Sequence, residues 1–188
     1  MIMKKLGQIE SNCFRVVLFG PESTGKTTLG KALAEHYSCA YVPEFSRGYA
    51  EEKLKKGVVL TKNDVLPIAI GQMKLENQIA SNSDKIIICD TNLLETKIYS
   101  EYIYDGFCPF ELEKAISEAK YDLYILTDID IPWEYDKLRS SEIERNNMFD
   151  FFKKELKQQK VPYIIVSGSK EHRFQKSVQY LNNILFLK

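Results

Sequence analysis

Short apolar runs alternate with longer stretches in which apolar residues recur at helical spacing. Residues 14–19 form a compact run rich in Val and aromatics, which predicts a strand buried on both faces. A glycine-bounded break follows at 20–25. Residues 27–37 then carry Leu29, Leu33 and Tyr37 at helical spacing, with Ala32 and Ala34 as good helix formers. Residues 40–42 predict a second short strand, ended by Pro43. A helix over 46–56 stops at Gly57. Thr61 and Asp64 resemble a capping box, which opens a helix running to about Ala80 and leaves Pro67 near its first turn. Further strands are predicted over 85–89, 121–126 and 161–166. Helices are predicted over 93–104, 110–120, 142–157 and 171–185.

Five short apolar strands separated by helices imply a three-layer α/β fold with a five-stranded parallel sheet and right-handed crossovers. The sequence shows no internal repeat, low-complexity tract or Pro/Gly linker, so one domain over 14–188 is expected, with residues 1–13 as an N-terminal tail. Ligands of such sheets bind outside the carboxyl ends of the strands. Function is therefore to be sought in the residues just after each strand.

Composition removes alternatives. In 188 residues, 26 Lys plus Arg balance 26 Asp plus Glu. A zero balance argues against a polyanionic partner such as nucleic acid. The apolar runs are far short of a membrane span, and residues 8–15 are polar where a signal peptide needs its apolar region. A cytoplasmic protein without a membrane partner is expected. Cys13, Cys39, Cys89 and Cys108 lack close metal-ligand spacing, and Cys39 and Cys89 are expected as reduced, buried thiols.

The break after the first strand reads Gly20-Pro21-Glu22-Ser23-Thr24-Gly25-Lys26-Thr27 and matches G-x-x-x-x-G-K-[ST] in full. The glycines let the backbone bring its N–H groups to phosphate oxygens, and the following helix points its positive end at the same anion. Lys26 is placed for the β- and γ-phosphates, and the Thr27 hydroxyl for Mg²⁺. A nucleoside triphosphate is thus the expected ligand. The guanine-reading N-K-x-D is represented only by a scrambled Thr61-Lys62-Asn63-Asp64, and neither D-x-x-G nor an ABC-type signature occurs. The second motif reads Ile88-Cys89-Asp90-Thr91 rather than ending in Asp-Glu as in motor-type ATPases. What remains is a small-molecule kinase.

Strand two ends in Tyr41-Val42-Pro43-Glu44-Phe45-Ser46-Arg47. Glu44 is placed to accept a proton from an acceptor hydroxyl, and Arg47 to bind substrate or phosphate. The alternative is an ion pair between them at a helix start. Strand three ends in Asp90, where a magnesium-side carboxylate belongs, the alternative being a bare surface Asp.

Four segments together, GPESTGKTT from Gly20 through Thr28, VPEFSR over 42–47, CDTNLLETKIY over 89–99 and DIPWEYDKLR over 130–139, resemble the ribosylnicotinamide kinase domain of NadR-type proteins. The resemblance runs from about Phe14 to the C-terminus. It implies ATP-dependent phosphorylation of the ribose 5′-hydroxyl of nicotinamide riboside to nicotinamide mononucleotide, with ATP and Mg²⁺ as cofactors. Under it, Lys26 and Thr27 become ATP–Mg²⁺ ligands, Asp90 a Mg²⁺ or catalytic residue, and Glu44 and Arg47 substrate-side residues. Glu44 and Asp90 both remain candidates for the base. Asn92 stands where the family often has Asp, which puts a substrate or metal role there in question. Only residues 1–13 precede the first strand, so the adenylyltransferase and DNA-binding activities of multidomain members are not carried over. Other readings are a kinase for another nucleoside or small molecule, and a non-catalytic ATP- or NAD-binding regulator.

Residues 131–147 correspond to the lid of small-molecule kinases, which closes over the phosphates. Arg139 is the preferred arginine for charge on the transferred phosphoryl group, while Arg145 is either a second such arginine or a solvated residue of a charged helix. Trp133 is a candidate to stack on a cationic nicotinamide ring, or else a core or lid anchor. Gly168, after strand five, offers backbone near the adenine or merely turns the chain.

Overall fold

The computed structural model describes residues 2–83, 85–133 and 142–185. Strands β1 (Phe14–Phe19), β2 (Ala40–Val42), β3 (Ile86–Asp90), β4 (Leu123–Thr127) and β5 (Tyr163–Val166) form one sheet in the order β2-β3-β1-β4-β5. All four pairings are parallel. The three central strands are buried along their whole length, as their unbroken apolar runs require. Helix α1 is Ile2–Leu6 and α2 is Lys26–His36; α3 (Phe45–Lys55) and α4 (Val65–Ala80) lie between β2 and β3. Helices α5 (Leu93–Ile103) and α6 (Phe110–Glu118) connect β3 to β4, α7 (Glu142–Gln159) precedes β5, and α8 (Lys170–Leu185) closes the order.

The helices make two outer layers. Leu29 and Leu33 of α2 and Leu181 of α8 pack with Val16, Leu18, Ile88 and Ile125 on one face of the sheet. On the other face, Ala80 of α4, Leu94 and Ile98 of α5, and Phe149, Phe152 and Leu156 of α7 pack with Val17, Phe19, Cys89 and Leu126. The connection leaving β1 carries α2 on one face, whereas α4, α5 and α7 follow on the other. The helices therefore part at the carboxyl end of β1, which is where a cleft opens in sheets of this kind.

Strands β1 and β2 coincide with those expected, the other elements differ at one or both ends by up to three residues, and one element was not foreseen. Within the segment expected as a tail, α1 packs on α4 and α6, and Leu6 is fully buried beside Val65, Met73 and Leu112. The chain after it is stitched to α4 as well. Gln8 donates to Glu76 at 2.8 Å, Ile9 N–H donates to Asn77 at 3.0 Å, and Arg15 pairs with the buried Glu76 at 3.3 Å. The expected capping box forms: Thr61 accepts from Asn63 N–H, and Asp64 accepts from Thr61 N–H at 2.9 Å. It opens a short 3₁₀ turn (Lys62–Asp64) before α4. Cys89 is buried and Cys39 half-buried, both as free thiols. Among the described residues no helix is long and apolar enough to cross a membrane.

Candidate active site

The carboxyl ends of β1, β2, β3 and β4 bring residues 20–28, Glu44, Asp90–Thr91 and Thr127 to one rim. The loop after β1 is held by its own side chains. Gly20 has φ +132°, and a Cβ there would lie 2.9 Å from Thr127 Oγ1 and 3.0 Å from the Thr127 carbonyl. Only glycine fits both the dihedral and the approach. Thr24 Oγ1 reaches the Pro21 carbonyl and Thr127 Oγ1, each at 2.7 Å. Lys26 Nζ donates to the carbonyls of Gly20 at 2.5 Å and Pro21 at 3.0 Å, and lies 3.4 Å from a Glu95 carboxylate oxygen. Tyr99 donates to the Glu22 carboxylate, fixing the outer side of the loop. Thr27 and Thr28 open α2 and stay exposed on the cleft side.

Asp90 is 1% exposed, and one of its oxygens accepts from both Thr27 Oγ1 and Tyr41 OH at 2.6 Å. It is thus no surface residue but the buried partner of the loop hydroxyl. Glu44 is the N-cap residue of α3, yet its side chain makes no capping bond; it accepts from Ser46 and lines the cleft. Arg47 also lines the cleft, exposed, 3.3 Å from Glu51. The helix-start pair of Arg47 is therefore with Glu51, one turn on.

These groups wall a cleft of about 730 Å³. One end is the phosphate loop. The other runs between α3 and α4, over Ala50, Leu60, Val65, Ile68 and Gln72. Glu144 and Met148 of α7, with Ile131 and Pro132, close it from above.

Electrostatically the centre is a lysine among carboxylates. Burial opposes the charge on Lys26, but Glu95, Glu44, Asp90 and Glu22 together outweigh it and hold the lysine protonated above its ordinary range. Burial pushes the Glu95 carboxyl up to about 8 against the pull of Lys26, with Glu44 and Asp90 adding to the rise. Burial and the adjacent Asp90 raise the Tyr41 phenol, which stays a donor.

Several expected site residues lie elsewhere. Asn92 is not on the substrate side: it is 1% exposed, accepts from Leu94 and Glu95 N–H at the start of α5, and donates to Tyr124 OH at 2.7 Å. Its asparagine is a helix cap, with Oδ1 engaged by the helix N–H groups and Nδ2 turned to Tyr124. Trp133 is half-buried and is not part of the cleft wall, which is formed nearby by Ile131 and Pro132. Gly168 does not line the cleft either; it turns the chain into α8 at φ +86°, with its N–H donating to Asp130 at 2.5 Å. Arg139, and residues 134–141 of the expected lid, fall outside the described residues.

Three contributors carried no sequence assignment, or one left open between two readings. Glu95 was unassigned, although its place on the first turn after Asp90 points it back at the loop. Arg145 is 2% exposed rather than solvated and donates to the Ile131 carbonyl at 3.0 Å. Arg173 of α8 donates to the Thr24 carbonyl at 2.8 Å, the Gly168 carbonyl at 3.0 Å and the Asp130 carboxylate, joining loop, β4 end and β5 end. Thr24 and Arg173 are 149 residues apart, so no local pattern announces the contact.

Residues 15–173 match a family model described as AAA_28, an AAA domain. No curated protein matches the sequence. Among solved structures, the chain is similar to a NadR protein in complex with NR, with TM-score 0.72 and 19% identity, over 92% of this chain and 50% of that one. It is similar to thymidylate kinase from Ehrlichia chaffeensis, with TM-score 0.69 and 17% identity, over 92% and 100% of the two chains. Deoxyadenosine kinase from M. mycoides with dCMP bound gives TM-score 0.63 and 17% identity, over 90% and 99%. The chain thus spans about half the length of the NadR chain and nearly the full length of the two kinases. What it shares with all three is the α/β fold with a phosphate loop after the first strand.

Proposed function

The chain belongs to the AAA_28 family of AAA domains, and from that premise we propose that it is an ATP-dependent small-molecule kinase that phosphorylates the ribose 5′-hydroxyl of nicotinamide riboside. The observation that carries the reading is one continuous cleft with the phosphate loop at one end, an acceptor-sized pocket between α3 and α4 at the other, and Glu44 in its wall. The fold shared with a NadR protein bound to NR supports the choice of acceptor.

In this reading the loop N–H groups and Lys26 seat the β- and γ-phosphates, and the α2 terminus adds its positive end. Glu44 accepts the acceptor proton, since its side chain lines the cleft and caps no helix N–H. Asp90 is better placed for the metal. Its Oδ1 is buried without a hydrogen-bond partner, beside the Thr27 hydroxyl that its other oxygen already holds. An unpartnered carboxylate oxygen next to a hydroxyl fits Mg²⁺, which takes few protein ligands and keeps waters and phosphate oxygens. Thr27 and Asp90 would hold the ion, which when bound neutralises charge on the phosphates. Arg139 is the lid cation of this reading. Arg47, at the cleft edge, faces the acceptor.

A second acceptor class has its own support, because the chain covers 99–100% of a deoxyadenosine kinase and a thymidylate kinase but half of the NadR chain. The test is ATP-dependent product formation with nicotinamide riboside beside uridine, thymidine, deoxyadenosine and pantothenate. Nicotinamide riboside is expected to give the largest kcat/KM. A larger value for another acceptor overturns the substrate while keeping the kinase. A stoichiometric nucleotide complex without turnover on any acceptor overturns the kinase.

A further inference from the structure

Glu44 occupies a position where an acidic side chain usually bonds to the backbone of its own helix. The first N–H groups of a helix lack intrahelical partners, and the N-cap side chain ordinarily takes one. At the start of α3 Glu44 makes no such bond, and the N–H of Phe45, the first residue of the helix, is met from another element. Gln72 Oε1, on α4, accepts the Phe45 N–H at 2.8 Å, and Gln72 Nε2 donates to the Pro43 carbonyl at 3.3 Å. The two backbone groups flank Glu44 on either side. Gln72 is 2% exposed, so its amide is held rather than swinging in solvent.

The approach of α4 to this turn depends on the residue beside it. A Cβ at Gly71 would fall 2.2 Å from the Phe45 ring, so only glycine lets the ring lie across the helix there. The ring and the amide together fix the backbone of residues 43–45 against α4.

We propose that Gln72 is the positioning residue for Glu44: by pinning the Pro43 carbonyl and the Phe45 N–H, it sets where the carboxylate stands in the cleft. The inference rests on the reading of Glu44 as the acceptor-side base. Its contribution is geometric, and displacements of about 1 Å at a reacting centre are worth up to about 100-fold in rate.

The test is a double-mutant cycle on the full chain with its best acceptor. Gln72→Met keeps the length and removes both bonds; thermal unfolding checks that the variant folds, and Gln72→Glu, which retains the acceptor for Phe45 N–H, is the partial rescue. Gln72→Met is expected to lower kcat about 10- to 100-fold with KM for ATP changed less than about twofold. On a Glu44→Ala background the same change is expected to cost little more, because a residue that acts through Glu44 has nothing left to position. An equal loss on both backgrounds overturns the proposal, since it marks a role independent of Glu44. A rise in acceptor KM at unchanged kcat also overturns it, placing Gln72 on the acceptor instead. An active Glu44→Ala enzyme shows separately that the base is elsewhere.

Discussion

On the nucleotide side of the cleft, residues 20–28 carry most of what the site needs in one stretch, whereas Glu44 and Gln72 reach the acceptor side from two separate elements. The loop is braced in part by its own carbonyls, through Thr24 and Lys26, and in part by Thr127, Tyr99, Glu95 and Arg173 of other elements. The acceptor side is braced by tertiary contacts of Gln72 to the β2–α3 turn. A locally encoded site tolerates change in the surrounding chain. A site assembled from distant elements can be retuned, or lost, by residues that never touch the substrate.

The comparison can be broken from either side. Glu44→Gln is expected to give the largest effect, about 10²- to 10⁴-fold in kcat, with ATP affinity kept. Asp90→Asn should instead raise the Mg²⁺ concentration needed for half-maximal rate; the two are separated by kcat measured across pH and Mg²⁺. Lys26→Ala strikes the nucleotide side, where losing one preorganised cation costs about 10²- to 10³-fold in phosphoryl transfer while the circular dichroism spectrum is kept. Retained turnover would remove Lys26 from its role.

Outside both halves, Leu6→Ala is expected to destabilise the fold by about 2–5 kcal/mol in a denaturant titration with little change in kcat/KM, because it empties a packed position that does not itself line the cleft. No loss of stability would mean that α1 contributes little.

A pH effect sharpens the contrast. The Glu95 carboxyl is raised from 4.5 to about 8 in the folded chain, so the folded state holds a proton that the unfolded chain releases. The stability this contributes is full below about 4.5 and lost as pH rises through about 8. Glu95→Gln, which mimics the protonated form, should flatten the fall of Tm across that window; an unchanged slope assigns the fall to other groups. Asn92→Ala is the smallest change, about 1 kcal/mol of stability from the lost cap, with KM for the acceptor unmoved. A raised acceptor KM would restore Asn92 to the substrate side.

The parts of the fold that were legible in sequence are those encoded locally. The five strands and the phosphate loop follow from runs of apolar residues and from one eight-residue pattern. Helix α1 was missed because five residues hold too little periodicity to register, and only Leu6 of them is buried. Asn92 was read through the family resemblance as a changed site residue. Its spacing to Glu95 is that of a capping box, but only half forms: Asn92 caps the helix while Glu95 turns to Lys26. Arg145 stayed open between a second lid arginine and a solvated residue because α7 is highly charged, and its guanidinium donates to the Ile131 carbonyl. Arg173 and Gln72 act across long sequence separations, on backbone groups of other elements, and backbone partners leave no trace in residue type.

The central claim is that the two halves meet at an acceptor hydroxyl held by Glu44. The most direct measurement is a crystal structure of the chain with nicotinamide riboside and an unreactive ATP analogue, read for the carboxylate nearest the ribose 5′-oxygen. The account predicts a Glu44 oxygen within about 3 Å of it, with the rest of the acceptor between α3 and α4. A 5′-oxygen seated instead against Asp90 or Glu95, with Glu44 turned away, would contradict it.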